Sequence, residues 1–206
     1  MVGLPMDRRL VVATKNRGKM KEFKKVLGDI GIKFLSLHDF PRLPPIVEDG
    51  SSFLENACKK ASLVATHTRL PVLADDSGLE VDYLDGAPGI LSARFAGCNA
   101  SDEANNAKLL SLLAGVPHRE RRARFRCALV LALADEPMVM VESTVEGYIG
   151  TEPRGEGGFG YDPLFIVPRY NSSFSELGPD IKNKISHRGK ALAQMREYLL
   201  QLGWAN

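Results

Sequence analysis

Two aspartates stand side by side in the segment VLADDSGLEV, residues 72–81, where a hydrophobic run reaches Ser77 and Gly78. Adjacent carboxylates repel, so Asp75 and Asp76 must each be hydrated, hydrogen-bonded or bound to a cation. Neighbouring residues on a strand point to opposite faces, but a strand that ends here and turns at Ser77 and Gly78 relaxes that rule. One carboxylate can then face a metal while the other holds the turn or a water. Mg²⁺ suits such a place, because it takes oxygen ligands and commonly binds one or two carboxylates together with substrate phosphate. Local capping of the turn by both carboxylates explains the pair about as well.

Four other segments carry reactive or binding groups. ATKNRGK, residues 13–19, lies between a hydrophobic run and a helical pattern. The start of a helix offers free backbone N–H groups and a dipole that favours anions. Thr14, Asn16, Lys15, Arg17 and Lys19 add donors and positive charge suited to a polyphosphate, although a polar turn with surface lysines has the same composition. The usual P-loop spacing is absent. In EDGSSFLENACKKA, residues 48–61, Glu48 precedes a helix and can face a loop crevice, or Glu48, Asp49 or Ser51 can simply cap the helix. In GGFGYDP, residues 157–163, glycines allow close backbone approach to a ligand, and Phe159 and Tyr161 offer flat faces for a base. The same aromatics can instead anchor a tight loop. KNKISHRGKA, residues 182–191, gathers Lys184, Ser186, His187 and Arg188 before a helix. A serine N-cap accounts for Ser186 but not for the whole run. No serine sits in a G-x-S-x-G elbow, which argues against a serine hydrolase.

These groups need elements to hold them. RRLVVAT (8–14) reads as a strand, KMKEFKKVLGDIG (19–31) as a helix with Met20, Phe23, Val26 and Leu27 on one face, and IKFLSL (32–37) as a second strand. Gly28 or Gly31 can end that helix. After the proline-rich loop 41–50, Ser52 and Glu55 form a potential capping box for a helix reaching about Thr68. PVLAD (71–75) and LEVDYL (79–84) read as two strands, followed by the turn DGAPG. Ser101 or Asp102 can cap a helix closed by Gly115. Residues 124–150 read as two long strands joined at Asp135–Pro137, and LFIV (164–167) as another. A loop then reaches the final helix, 189–203, with Leu192, Met195, Leu199 and Leu202 as its buried stripe. Helices alternating with strands, with a later hairpin, predict an α/β fold with a mixed sheet.

The chain has 206 residues, 44% of them hydrophobic and 25% charged, which fits one domain with a substantial core. A net charge of +2 argues against a general nucleic-acid coat. Cys58, Cys98 and Cys127 are too scattered for a disulfide framework or a zinc site and read as reduced thiols. The apolar run near the N-terminus is too short for a signal peptide, and no segment approaches the ~20 apolar residues that span a bilayer. A cytoplasmic protein is expected. His38, His67 and His118 read as surface or loop residues, and Tyr148 and Trp204 as packing or interface residues.

In this order the five segments resemble the inosine triphosphate pyrophosphatase family, which clears non-standard purine nucleoside triphosphates. The resemblance rests on TKNRGK (T-x-N-x-x-K), EDGSSFLENACKKA, ADDSGLEVDYLDGAPG, GEGGFGYDPLF and KNKISHRGKA, spanning residues 14–191. It implies a single 1–206 domain with an elongated mixed β-sheet flanked by helices, two lobes and a central active-site cleft. It also implies a homodimer, Mg²⁺ dependence, and cleavage of ITP, dITP or XTP to the monophosphate and pyrophosphate. Matched residue by residue, Thr14, Asn16 and Lys19 hold the triphosphate, in a substrate-binding turn that includes Lys15, Arg17 and Gly18. Glu48 and Asp76 match the metal carboxylates, with Asp75 beside them, and Asp76 also matches the proton acceptor. Ser77 matches a phosphate contact; Phe159, Gly160, Tyr161 and Asp162 match the nucleoside loop; Lys184, His187 and Arg188 match base and phosphate contacts. A pocket with donors such as Arg188 and His187 would satisfy the purine 6-oxygen and reject the 6-amino group of adenosine.

The reading requires Glu48 to lie near Asp75 and Asp76, and a pocket to join them to the 14–19 turn. Three rivals remain at this level: a Maf-type pyrophosphatase, a nucleotide sensor without turnover, and a nucleic-acid binder using HRERRARFR (118–126), a run that also reads as a strand with one wet face.

Overall fold

A computed structural model describes residues 8–133 and 138–204. The N-terminal MVGLPMD segment and the expected join at Asp135–Pro137 lie outside the described residues. The strands are β1 (Arg9–Ala13), β2 (Lys33–Ser36), β3 (Val72–Val81), β4 (Arg122–Ala132), β5 (Val139–Ile149), β6 (Phe165–Val167) and β7 (Ser172–Ser173). The helices are α1 (Arg17–Leu27), α2 (Phe53–Thr68), α3 (Asp102–Leu112), α4 (Phe174–Ile185) and α5 (His187–Gln201). The strands form one seven-stranded mixed sheet in the order β2-β1-β3-β4-β5-β6-β7. β1 runs parallel to β2 and β3, while β6 is antiparallel to β5 and β7. The α/β class expected from the sequence is the class observed.

The chain divides into two compact units. Unit 1 comprises residues 1–76, 127–143 and 188–206; unit 2 comprises residues 77–126 and 144–187. The core of unit 1 packs Leu10 and Val12 of β1, Leu73 of β3 and Leu129 and Leu131 of β4 against Phe23 and Leu27 of α1 and Leu192, Met195 and Leu199 of α5. Trp204 joins this core, as a packing residue. Met20 and Val26 pack at its margin, so the expected face of α1 holds. Leu202 does not continue the α5 stripe but is exposed, because the helix has ended at Gln201. Unit 2 has its own core, in which Leu109 and Leu113 meet Phe125, Phe165 and Phe174.

Caps explain most boundaries. Asn16 accepts from the Lys19 N–H, Ser52 from Glu55 N–H and Ser101 from Ala104 N–H. Glu55 does not complete the expected box with Ser52; its carboxylate accepts from the backbone and hydroxyl of Ser51 instead.

Two expectations fail. Residues 72–81 form one uninterrupted strand, with no turn at Ser77 and Gly78. The N-terminal half of β3 is locked in register with β1, and β4 flanks it on the other side, so the sheet overrides a turn signal of only two residues. The expected loop before the last helix contains α4. Its start has a full capping box between Ser173 and Glu176. The helical pattern is interrupted at Gly178, at φ +71°, which hides α4 from a reading based on periodicity.

Candidate functional site

Because β3 is continuous, Asp75 and Asp76 point to opposite sides of the sheet. Asp75 is 1% exposed and surrounded by cations. Lys19 ion-pairs with one carboxylate oxygen, and Arg188 Nε donates to the other at 3.0 Å. Cys127 Sγ lies 3.2 Å from that second oxygen. Arg188 is itself 2% exposed and gives its other face to Glu22 at 2.5 Å. Burial pushes the Asp75 carboxyl up, but Arg188 and Lys19 outweigh it and hold the group well below the usual carboxylate range. The same burial pushes the Cys127 thiol well above its ordinary value.

Asp76 has a different environment. It is half-buried, and Asn56 Nδ2 donates to it at 3.1 Å. The other side of the Asn56 amide accepts from the Gly50 N–H at 2.7 Å, which ties the loop carrying Glu48 to β3. Lys60, one helical turn beyond Asn56, ion-pairs with Glu48 and donates to the Asp75 backbone carbonyl at 2.9 Å. Burial raises the Asp76 carboxyl above its ordinary value; Lys60 and Lys19 pull it back, while the like charges of Glu48 and Asp75 push it further up. Glu48 and Asp76 are therefore neighbours, the first thing the sequence reading requires; the second, a pocket joining them to the 14–19 turn, is not supplied by the cavity on that turn. The link between the turn and the carboxylates is Lys19. A cavity of about 410 Å³ that opens on the turn is lined by Thr14, Lys15, Asn16 and Arg17, with Met20, Lys24 and the end of β2, rather than by Glu48 or Asp76.

Unit 2 presents the glycine-rich loop. Tyr161 and Asp162 are buried, and the Tyr161 hydroxyl donates to the Ser92 carbonyl at 2.9 Å, so that ring anchors the loop. Asp162 accepts from the Phe159 N–H at 2.9 Å and from Lys182 Nζ at 2.6 Å. The same ammonium sits 4.4 Å from the centre of the Phe159 ring. Gly158, at φ +83°, has no room for a side chain, because a Cβ there would run into the Asp162 carboxylate. His187 is buried, its ring stacked on Phe125 at 4.7 Å between centroids.

The structure thus groups Lys19, Glu48, Asp75, Asp76 and Arg188 in unit 1, and Phe159, Gly160, Tyr161, Asp162 and His187 in unit 2. Lys184 is exposed on α4; the buried lysine at the glycine-rich loop is Lys182, two residues earlier, which the sequence motifs do not single out. Asn56 and Lys60 were also missed, although their spacing of four on a helix marked them as one face. Ser77 is half-exposed on β3, and Lys15, Asn16 and Arg17 are exposed on the turn. The basic run 118–126 is largely spent within unit 2. Arg121 is buried and donates to the carbonyls of Leu113, Ile149 and Gly150, while Arg124 pairs with Glu80, Asp82 and Glu146. No helix among the described residues is long and apolar enough to cross a membrane.

Residues 10–198 match the model of the Ham1 family. A dITP/XTP pyrophosphatase of Geobacter sulfurreducens is 53% identical over 95% of this chain and 97% of its own length. One from Geobacillus kaustophilus is 50% identical over 92% and 93%. Among solved structures, a HAM1 protein from Coxiella burnetii superposes with a TM-score of 0.85 at 42% identity, covering 94% of this chain and 98% of that one.

Proposed function

The chain belongs to the Ham1 family, and on that premise we propose that it is a nucleoside triphosphate pyrophosphatase that cleaves dITP, XTP and ITP to the monophosphate and pyrophosphate. The observation that carries the reading is the contrast between the two adjacent aspartates. Asp75 is neutralised by Lys19 and Arg188, whereas Asp76 stays beside Glu48 with its carboxyl raised by burial.

Asp76 and Glu48 are the residues that would hold a divalent cation, and the donor set fits one. Both are oxygen donors, and their mutual repulsion at a half-buried position is what a cation relieves. No cluster of three or more His, Cys, Asp or Glu side chains with metal-binding geometry occurs among the described residues. A two-carboxylate site suits Mg²⁺, whose remaining positions go to water and substrate phosphate. When bound, such a cation supplies charge that offsets the phosphate oxygens and the leaving pyrophosphate.

The chain's own residues do the rest. The backbone N–H groups of the 14–19 turn, with Thr14, Lys15 and Arg17, draw in the triphosphate at the start of α1. Lys19 and Lys60 add positive charge where the leaving group develops its own. Asp76 takes the proton from the water that attacks the α-phosphorus, and a raised carboxyl is the better base near neutral pH. Asp75 carries no proton; it fixes Lys19. Phe159, with Lys182 against its ring, offers a surface for the purine, and His187 and loop N–H groups supply donors for its 6-oxygen. Such hydrogen bonds discriminate against a 6-amino group. We assign the protein a role in removing deaminated purines from the cytoplasmic nucleotide pool, as a homodimer.

Pyrophosphate release across a nucleotide panel tests this. dITP, XTP and ITP are expected to exceed ATP and GTP in kcat/KM, and EDTA is expected to abolish turnover until Mg²⁺ is restored. Equal kcat/KM across the panel, or turnover unaffected by chelation, would overturn the reading.

A further inference from the structure

Gly160 lies between Phe159 and Tyr161 with a φ of +62°, and both of its backbone polar groups are held by one helix. Its N–H donates to Asp102 Oδ2 at 2.6 Å, and its carbonyl accepts from Asn106 Nδ2 at 3.0 Å. Asp102 and Asn106 are four apart on α3, so they lie on one face of that helix. The same stripe continues through Leu109 and Leu113, which are fully buried in the core of unit 2. The inward stripe of α3 therefore begins polar where it meets the loop and becomes apolar where it meets the core.

The chemistry of Asn106 separates loop-holding from general stabilisation. The Gly160 carbonyl can only accept, so the amide NH₂ must face it and Oδ1 must face away. That oxygen is buried without a hydrogen-bond partner among the described residues, although Asn106 is only 9% exposed. A half-satisfied buried amide adds little net stability, since the bond it makes to Gly160 is offset by the acceptor it leaves unmet. What the amide does achieve is to fix the Gly160–Tyr161 peptide, next to the Phe159–Gly160 peptide whose N–H Asp102 holds. Asp162 fixes the preceding N–H, that of Phe159, from the other side. The backbone on both sides of the Phe159 side chain is thereby held.

We infer that Asp102 and Asn106 are positioning residues for nucleobase recognition, acting through Gly160 on the Phe159 ring. The inference rests on the proposed nucleotide reading and deepens it, because both residues hold the loop assigned to the base and neither is among the residues assigned to the phosphates or the water. Loss of the Asp102 bond frees the Phe159–Gly160 peptide and loss of the Asn106 bond frees the next one, Gly160–Tyr161; either way Gly160 is released, and the ring spends less time where a purine can stack.

The test is steady-state kinetics with dITP and XTP on Asp102→Ala, Asp102→Asn, Asn106→Leu and the double variant Asp102→Ala/Asn106→Leu. Asp102→Ala and Asn106→Leu are expected to raise KM about five- to tenfold with kcat within twofold. Their combined effect should be smaller than the product, since both act on the two peptides that meet at Gly160. Asp102→Asn keeps an acceptor and should restore KM to within twofold of wild type. Inhibition by inorganic tripolyphosphate should be unchanged in every variant, and the KM changes should not follow Tm across the set. A fall in kcat at constant KM, KM values equal to wild type, or KM losses that track Tm would overturn the inference while leaving the nucleotide reading intact. A wild-type protein that turns over neither nucleotide would overturn that reading and this inference together.

Discussion

The two units hold their candidate site side chains in different ways. In unit 1, Asp75, Arg188, Glu22 and Lys19 form a buried lattice of full charges, in which each group has an opposite charge within hydrogen-bond reach. In unit 2, a single buried ion pair, Asp162 with Lys182, anchors the 157–162 loop, and the rest of the hold is hydrogen bonds between its backbone and Asp102, Asn106 and Asp162. On the proposed reading, the difference follows from what each would bind. Phosphates and a cation carry charges whose positions matter to tenths of an ångström, and fixed charges repay their desolvation only when geometry is tight. A purine is flat and weakly polar, and stacking tolerates small displacements while a few N–H groups choose among bases.

The sharpest way to break this contrast is to remove chemistry from unit 1 without touching its lattice. Asp76→Asn is expected to lower kcat by about 10²- to 10⁴-fold, the usual contribution of a positioned base, with an unchanged circular dichroism spectrum. Next is the lattice itself. Glu22→Ala leaves the Arg188 guanidinium short of a buried partner, and urea titration should show a loss of about 3–5 kcal/mol. For unit 2, Phe159→Ala removes a stacking face worth about 1–3 kcal/mol, or roughly five- to 150-fold in KM for XTP, with kcat nearly preserved. If instead Phe159→Ala lowered kcat as deeply as Asp76→Asn, the division between recognition and chemistry would fail. The smallest effect concerns thiols. Cys98 is exposed, Cys58 is partly covered with its thiol pushed up by burial, and Cys127 is buried against Asp75. Iodoacetamide at pH 8 should label Cys98 first, Cys58 slowly and at a rate that climbs with pH, and Cys127 only after unfolding, as read by peptide mass spectrometry.

Local signals served the sequence reading well where partners are local. Ser52, Ser101 and Asn16 precede helices as caps, and the apolar faces of α1 and α5 repeat at helical spacing, so these were legible. The Ser173–Glu176 capping box is equally legible, but Gly178 breaks the periodicity after it and hides α4. The site was legible as five segments and not as contacts. Lys182 and Lys184 are equivalent in one dimension; only the helical rotation of α4 turns the first inward to Asp162 and leaves the second exposed.

Composition, periodicity and motif order by themselves determined the α/β class, most helix boundaries, the polar, basic turn at 14–19, and the presence of paired carboxylates and an aromatic glycine-rich loop. Tertiary structure decided that residues 72–81 stay one strand, and so that Asp75 and Asp76 part to opposite faces, one into a cage of cations and one beside Glu48. It also decided that Glu22 meets Arg188 across 166 residues of sequence, and that Asn106 reaches Gly160 across 54. The physical reason is range: caps and amphipathic faces are settled within a helical turn or two, whereas a strand's continuity depends on the neighbours it pairs with and a buried charge on partners that only folding brings near.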